Sequence, residues 1–442
     1  MTIRMDEGAA ELLDTLHRAG YAAYVVGGCV RDSLLGLTPH DWDLCTSALP
    51  QQGMELFGEE KCIPTGLQHG TVTVKQGGGL YEITTFRTEG AYTDGRHPDE
   101  VHFVPDVRED LARRDFTINA MAYNAKEGLI DPFGGQADLQ SGILRAVGVP
   151  HQRFTEDALR ILRLYRFAAR FGFAIDPPTA QAAQELCAHL DCVSVERIEE
   201  ELAKLLSAPA PAAYLDEKIL SVVLPELSPE ALAAAKPVVD ACPAGEQALP
   251  VRLAALLLSL GEDGTRRTLR RLRCSNACIE ETAVLVREVV SGVPGAFSSD
   301  TNRAIPSPAL LPAATGSHPS GRSSEKLPAR PPVSLNIYTR KLLGQYGLKT
   351  VQRLAALGTA LQPEHAADFA ALSELAERLD ADGVCCRVSQ LAVNGRDLMA
   401  AGVPAGPGIR KVLEALLDGV IREEYPNERQ ALLAAVQQLA AS

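Results

Sequence analysis

The pattern of apolar residues changes character near Thr155, and that change restricts the possible folds more than any other feature of the chain. Before it, short β-type runs alternate with helical ones. Tyr24-Val25-Val26 reads as a buried strand ended by Gly27-Gly28, and Trp42 to Cys45 reads as a second. Thr71 to Lys75 and Tyr81 to Phe86 alternate as two more, with Gly77-Gly78-Gly79 as the turn between them. Helical period appears over 6–20, where Leu12, Leu13 and Leu16 share a face, and over Val30 to Leu37. Beyond Thr155 helices follow one another almost without interruption. Pro177-Pro178 ends one and starts the next, and Val195 to Leu206 is another. Aromatics are only 5% of a chain that is 46% hydrophobic, so Ala and Leu dominate its apolar content and favour helix. The expected class is α+β: a mixed-sheet head at 1–150, then an all-α neck at 151–207, body at 208–292 and tail at 334–442. Residues 293–333, rich in Ser, Pro, Gly and Ala, read as a low-complexity linker or insertion.

A net charge of −13 argues against a protein that coats nucleic acid or a membrane surface; RNA binding would need a local basic surface. The ten cysteines include no C-x-x-C pair, and neither Cys274/Cys278 nor Cys385-Cys386 completes a zinc pattern, so they read as reduced structural thiols. Met1 to Glu11 carries acids and no long apolar run, unlike a signal peptide. The best apolar stretch, Leu249 to Leu260, contains Arg252 and falls short of the ~20 residues needed to span a bilayer. The expected location is cytoplasmic, with no membrane partner.

The densest chemical signal is Gly27-Gly28-Cys29-Val30-Arg31-Asp32 followed by Asp41-Trp42-Asp43. Two glycines after a strand let backbone approach a triphosphate, and a helix starting beside them offers N–H groups. Arg31 adds a charged fork for phosphate. Asp41 and Asp43, two apart on the expected strand, would point to one face and form a magnesium site, with Glu82 as the third carboxylate. A lone Gly-Gly is usually a turn and a lone D-x-D a solvated loop; joined at this spacing they are far more specific. His40-Asp41 is a poor metal-phosphohydrolase dyad, since no further histidines support it.

With these residues, Gly27 to Asp43 resembles the signature of the DNA polymerase β-like nucleotidyltransferases, and more narrowly the class II tRNA nucleotidyltransferases and bacterial poly(A) polymerases. Thr84-Thr85-Phe86-Arg87, Arg113 to Ala120, Asp131-Pro132-Phe133-Gly134-Gly135 and Glu156-Asp157-Ala158-Leu159-Arg160 with Arg163 and Arg166 follow in the family's order. The likeness is strong over 20–207 and weaker at Leu391 to Asp397. It implies Mg²⁺-dependent addition of CMP, CMP and AMP from CTP and ATP to the tRNA 3′ acceptor end. Arg114 is expected at the triphosphate, and Asp115 and Asn119 are expected to hold their block together or touch the ribose.

Asp157 and Arg160, three apart on an expected helix, are neighbours on its surface. A carboxylate accepts and a guanidinium donates, which suits the pairing edge of cytosine or adenine; uracil and guanine put a carbonyl where the amino group should be. The resemblance gives this pair the role of protein template. It places Arg163 and Arg166 at the nucleotide too, although each step of three drifts about 60° around a helix, so geometry favours Arg163 over Arg166. Phe167, Phe171 and Phe173 read as core. The segment 145–173 is arginine-rich, with Arg145, Arg153 and Arg170 beside those already named, and reads as a basic patch for RNA. Arg266, Arg267, Arg270, Arg271 and Arg273 read either as a tRNA backbone contact or as a solvated helix face. Asn394-Gly395 reads as a helix cap.

Poly(A) polymerase is the closest alternative. It shares the head motifs, but Ile63 to Gly70 is not the basic, phenylalanine-containing block of those enzymes. A split CC- or A-adding enzyme is another, and the loop Thr88 to Asp99 favours full CCA addition. A non-catalytic RNA-binding module would be free to lose Asp41, Asp43 or Arg31, all of which are kept. A small-molecule nucleotidyltransferase has little need of the long helical body.

Overall fold

The structure, a computed structural model, describes residues 2–90, 101–290 and 335–441. The segment 293–333 and most of the loop Thr88 to Asp99 lie outside the described residues. The chain divides into two compact units, Met1–Pro225 and Glu226–Ser442.

The first unit begins with α1 (Glu7–Arg18), β1 (Ala23–Val26), α2 (Gly28–Leu34), β2 (Leu44–Thr46), α3 (Pro50–Phe57), β3 (Cys62–Gly66), β4 (Thr71–Gln76) and β5 (Gly79–Thr85). It continues through β6 (Arg87–Glu89), β7 (Val101–Phe103), α4 (Val107–Ala112), β8 (Ala122–Asn124), β9 (Gly128–Ile130), α5 (Gly135–Ser141) and β10 (Ile143–Leu144). The helical part comprises α6 (Pro150–Glu156), α7 (Leu159–Phe171), α8 (Pro177–Glu185), α9 (Val195–Leu206) and α10 (Glu217–Val223), with the short β11 (Ala174–Ile175) after α7.

Among the described residues, seven strands form one mixed sheet in the order β3-β4-β5-β2-β1-β8-β9. Only β2 and β5 run parallel in it. A parallel pair needs a crossover, which here passes through α3, β3 and β4. Tyr24, Val26, Cys45, Phe86, Leu111, Ala120 and Ala122 form a core beneath the sheet. Phe86 is fully buried, and truncating such a side chain to alanine costs about 3–5 kcal/mol. β8 and β9, which the sequence reading lacks, are three residues each, too short for alternation to be legible.

Local signals explain the helix starts. The Asp6 carboxylate accepts the Gly8 and Ala9 N–H groups at 3.0 and 3.3 Å and caps α1, which then buries Leu12, Leu13 and Leu16. Asp176 caps α8 through the Thr179 N–H, and Pro177-Pro178 fill the positions where no donor is needed. α9 has the bounds expected of it, Val195–Leu206.

The second unit is helical in its described residues: α11 (Pro229–Ala241), α12 (Leu249–Leu257), α13 (Gly261–Arg271), α14 (Asn276–Val290), α15 (Leu335–Tyr346), α16 (Leu348–Leu361) and α17 (Ala366–Ala381), then α18 (Gly395–Ala400), α19 (Gly408–Ile421) and α20 (Arg429–Ala441). The apolar stretch around α12 is a buried core helix, and Arg252 within it is fully buried and donates to the Cys242 carbonyl (3.1 Å). Asn394 caps α18, with Asp397 completing the capping box.

Candidate active site

The site is built where β1 runs into α2. The Val26 N–H donates to the Asp43 carbonyl (2.9 Å). Gly27 then turns the chain with φ 77° and ψ −121°, a conformation that strains any residue bearing a side chain. A Cβ there would also lie 2.8 Å from Arg114 Nη1. The Gly27 N–H donates to the Met121 carbonyl (3.1 Å) and its carbonyl accepts the Arg31 N–H (3.0 Å), so the turn is held from both sides.

Asp41 and Asp43 do not lie on a strand, contrary to the reading of Trp42 to Cys45. β2 begins at Leu44, and both aspartates precede it. Leu44 is flanked on both sides, by Val25 of β1 and Ile83 of β5, whereas 41–43 joins the ladder through the Asp43 carbonyl. Continuing the parallel register Leu44↔Ile83 back by one residue brings Asp43 beside Glu82. All three carboxylic residues are exposed. Asp43 is nonetheless surrounded by enough protein for desolvation to raise its pKa. The charges of Glu82 and Asp41 raise it further, while Arg114 pulls it down. Mutually repelling carboxylates with hard oxygen donors fit a divalent cation. Among the described residues no three acidic, histidine or cysteine side chains form a cage for an ion.

Asp43 lines a cavity of about 460 Å³ together with Gly27, Gly28 and Arg31, and with residues of α7 and α9. Arg31 is buried; its Nε donates to Asp32 Oδ1 (2.7 Å), its Nη1 to Asn119 Oδ1 (2.6 Å), and it lies over the Phe171 ring. Arg114 reaches Asp110 at 3.5 Å and packs against Gly27.

Asp157 is not on one helix with Arg160. It sits in the break between α6 and α7 with extended backbone (φ −145°, ψ 105°). Its Oδ1 accepts the Leu159 N–H (3.0 Å), and its Oδ2 holds Arg197 Nη2 (2.8 Å). The carboxylate thus accepts the first N–H of α7 from two residues back, a local turn that competes with helical backbone at an aspartate. Arg160, in the first turn of α7, donates Nη1 to Glu156 Oε2 (2.8 Å) and Nη2 to the Arg113 carbonyl (3.2 Å). Both Asp157 and Arg160 line the cavity.

Asp115 and Asn119 knit the head motif to α7. Arg163 places Nε and Nη2 on Asp115 Oδ2 (2.9 and 2.6 Å), and Asn119 Nδ2 donates to Asp115 Oδ1 (3.0 Å). Burial pushes the Asp115 pKa up, but Arg163 and the Asn119 hydrogen bond outweigh it and hold the group well below the usual carboxylate range. Arg166 Nε donates to Glu201 Oε2 (2.5 Å) and lies 3.8 Å from the Phe167 ring centroid. Arg166 lines the same cavity as Asp157. The helical drift that argued against this does not apply, because Asp157 is off the helix. Phe167 is buried as expected, yet it is also a cavity wall.

Arg197 and Glu201 carry no signal in the sequence. Arg197 pairs across 40 residues, which no local pattern shows. Arg170, read only as part of a basic patch, continues the Arg163 face at i+7, and its place at the cavity was legible on that ground. In the second unit, Arg266 pairs with Glu262 and Glu280, and Arg271 with Glu226. These partners neutralise part of the basic cluster, while Arg267 and Arg270 are exposed.

Residues 23–145 match the family model described as the poly A polymerase head domain. Residues 172–230 match a probable RNA- and SrmB-binding site of polymerase A, and residues 337–436 a putative tRNA nucleotidyltransferase domain 2. A mixed-sheet head of this type followed by helices defines a nucleotidyltransferase, a class that works with a divalent metal ion. The CCA-adding enzyme of Lactiplantibacillus plantarum is 36% identical over 97% of this chain and 95% of its own length. That of Geobacillus thermodenitrificans is 35% identical over 96% and 95%. The crystal structure of the Bacillus stearothermophilus CCA-adding enzyme in complex with CTP superposes with a TM-score of 0.76 and 31% identity, covering 99% of this chain and 98% of that one. The chain belongs to the CCA-adding enzyme family.

Proposed function

We infer that this protein is a CCA tRNA nucleotidyltransferase. It adds CMP, CMP and AMP from CTP and ATP to the tRNA 3′ end without a nucleic-acid template, and releases pyrophosphate. The observation that supports the site most directly is one cavity lined by Gly27-Gly28, Asp43, Asp157 and Arg160 together. That cavity offers a phosphate turn, a carboxylate for metal and a donor–acceptor pair for a base.

We propose Mg²⁺ as the ion, held by Asp41 and Asp43 with Glu82 beside them. When bound there it supplies Lewis-acid activation of the attacking hydroxyl and neutralises charge at the phosphates. The other contributions come from the chain. Gly27 and Gly28 admit the triphosphate close to backbone, with Arg31 and Arg114 as its cationic contacts. The primer 3′-hydroxyl attacks the α-phosphate in line, and alignment lowers the barrier. Asp157 keeps acceptor capacity beyond its two present partners, and Arg160 keeps donors beyond Glu156 and the carbonyls. These remaining sites suit an amino group beside a ring acceptor, as in cytosine and adenine. Arg163 and Arg166, anchored by Asp115 and Glu201, would line the nucleotide.

In this reading residues 1–150 are the catalytic head, 151–207 the base-selecting neck, 208–292 the body and 334–442 the tRNA-binding tail, with 293–333 a linker. No described helix is long and apolar enough to cross a membrane. The ten free cysteines and a tRNA substrate suit a cytoplasmic location.

The head model is shared with poly(A) polymerases, so product length is the decisive measurement. tRNA lacking its CCA end is incubated with each labelled nucleoside triphosphate, singly and in sequence. Two CMP followed by one AMP is the expected product; unlimited AMP addition would assign polyadenylation, and arrest after CC or refusal of CTP would assign a split activity.

A further inference from the structure

The arginines around the cavity are not equally engaged. Arg163 has Asp115 at 2.6 Å, Arg166 has Glu201 at 2.5 Å, Arg197 has Asp157 at 2.8 Å and Arg160 has Glu156 at 2.8 Å. Each of these is a close charge-assisted pair. Two arginines differ. Arg114 stands 3.5 Å from Asp110, whose other oxygen is already held by Arg113 at 2.9 Å. Arg170 stands 3.5 Å from Asp32, whose other oxygen is already held by Arg31 at 2.7 Å. In both cases one carboxylate serves two guanidiniums, and the second is left weakly paired. Arg170 is also among the more exposed, with 43% of its side chain accessible, and it lines the cavity. Its charge is close enough to oppose that of Arg31, whose pKa is lowered first by burial and then, against the pull of Asp32, by Arg170.

We propose that Arg170 is a further phosphate ligand, one that contacts the terminal phosphates of the incoming nucleotide and the pyrophosphate product. The proposal rests on the reading that this cavity holds the triphosphate. Arg170 lies seven residues after Arg163, two turns along the same face of α7. It lies ten residues after Arg160, about 15 Å further along the axis, so one helix presents the base-reading residue at its start and a phosphate ligand near its end. A phosphate oxygen is a stronger partner for Arg170 than a carboxylate oxygen already committed to Arg31, since it brings its own charge into a fork that has donors to spare.

The test compares R170A, R170K and R114A in the full-length enzyme, with inorganic pyrophosphate, CTP and CMP as probes. R170A is expected to raise the KM for CTP and ATP alike by about tenfold and to weaken pyrophosphate inhibition equally, as loss of one charge-assisted hydrogen bond implies. CMP binding is expected to stay unchanged, and R170K to recover part of the loss. If R114A weakens pyrophosphate inhibition and R170A does not, or if R170A weakens CMP and CTP to the same extent, the assignment of Arg170 is wrong. If neither variant alters pyrophosphate inhibition, the reading of the cavity itself is wrong. Arg170 is accessible, so its truncation leaves the core intact, and R170K, which keeps charge and length, tests the same contact through its own pyrophosphate inhibition.

Discussion

On the sheet side of the cavity, Asp43 feels the charges of two further carboxylates, Glu82 and Asp41, and its pKa is raised. On the helix side, Arg160, Arg163, Arg166 and Arg197 each already hold a carboxylate, and Asp115 is held far below its usual range. The sheet wall gathers negative charge with little compensation; on the helix wall these four arginines are already paired, and Arg170 is left only weakly held. The contrast separates two uses of charge. Acids that repel one another are poised to take up a metal ion. Arg163 and Arg166, fixed by the buried acids Asp115 and Glu201, keep their geometry from one substrate to the next, as the proposed template for two different bases would require.

Removing the negative charge of the sheet wall should have the largest effect. Asp43→Ala, and likewise Asp41→Ala, is expected to lower nucleotide incorporation on the order of a thousandfold or more, read in single-turnover assays across a Mg²⁺ titration. Near-normal rates for either variant would end the metal assignment. On the helix wall the first loss should be stability. Asp115→Asn removes the buried acid that is the main partner of half-buried Arg163, and urea unfolding should show a loss of about 1–3 kcal/mol. A neutral result would mean that Arg163 is held by Glu201 alone.

Selectivity comes next. Asp157→Ala is expected to reduce discrimination of CTP over UTP by ~10- to 100-fold in kcat/KM, the range of one lost bidentate base contact. Arg197→Met, which leaves the Asp157 carboxylate but frees its Oδ2, should relax the same ratio by only a few-fold, about 1 kcal/mol or less. Unaltered ratios in both would move base reading elsewhere. The smallest effect is a displacement along the pH axis. Asp43 must be ionised to hold metal, and its pKa is raised by burial and then by Glu82. At subsaturating Mg²⁺, where the proton competes with the metal, activity should therefore fall as pH drops through a limb set by Asp43. In Glu82→Gln that limb should move to lower pH, and a limb that stays put would show that Glu82 does not act on Asp43.

Much of this was legible along the chain. Gly27-Gly28, Arg31, Asp41 and Asp43 announce themselves by type and spacing, and four of the strands and the bounds of α9 follow from periodicity and turn residues. That the two aspartates lie before the strand rather than on it was not legible, because where a strand begins depends on its partners, and those of Leu44, Val25 and Ile83, are distant in sequence. Asp157 misled for a related reason. Its spacing to Arg160 fits a helix, but its carboxylate turns back onto the Leu159 N–H and onto Arg197, which is visible only once those residues are placed.

Local sequence therefore determined which groups the protein has for chemistry and the backbone that presents them, since turn formation, capping and amphipathic period act over a few residues. Tertiary structure alone decided the long-range charge pairs of the site. The partners of Asp157, Arg163, Arg166 and Arg31 lie 40, 48, 35 and 88 residues away, and interactions closed over such distances leave no periodic trace in the chain.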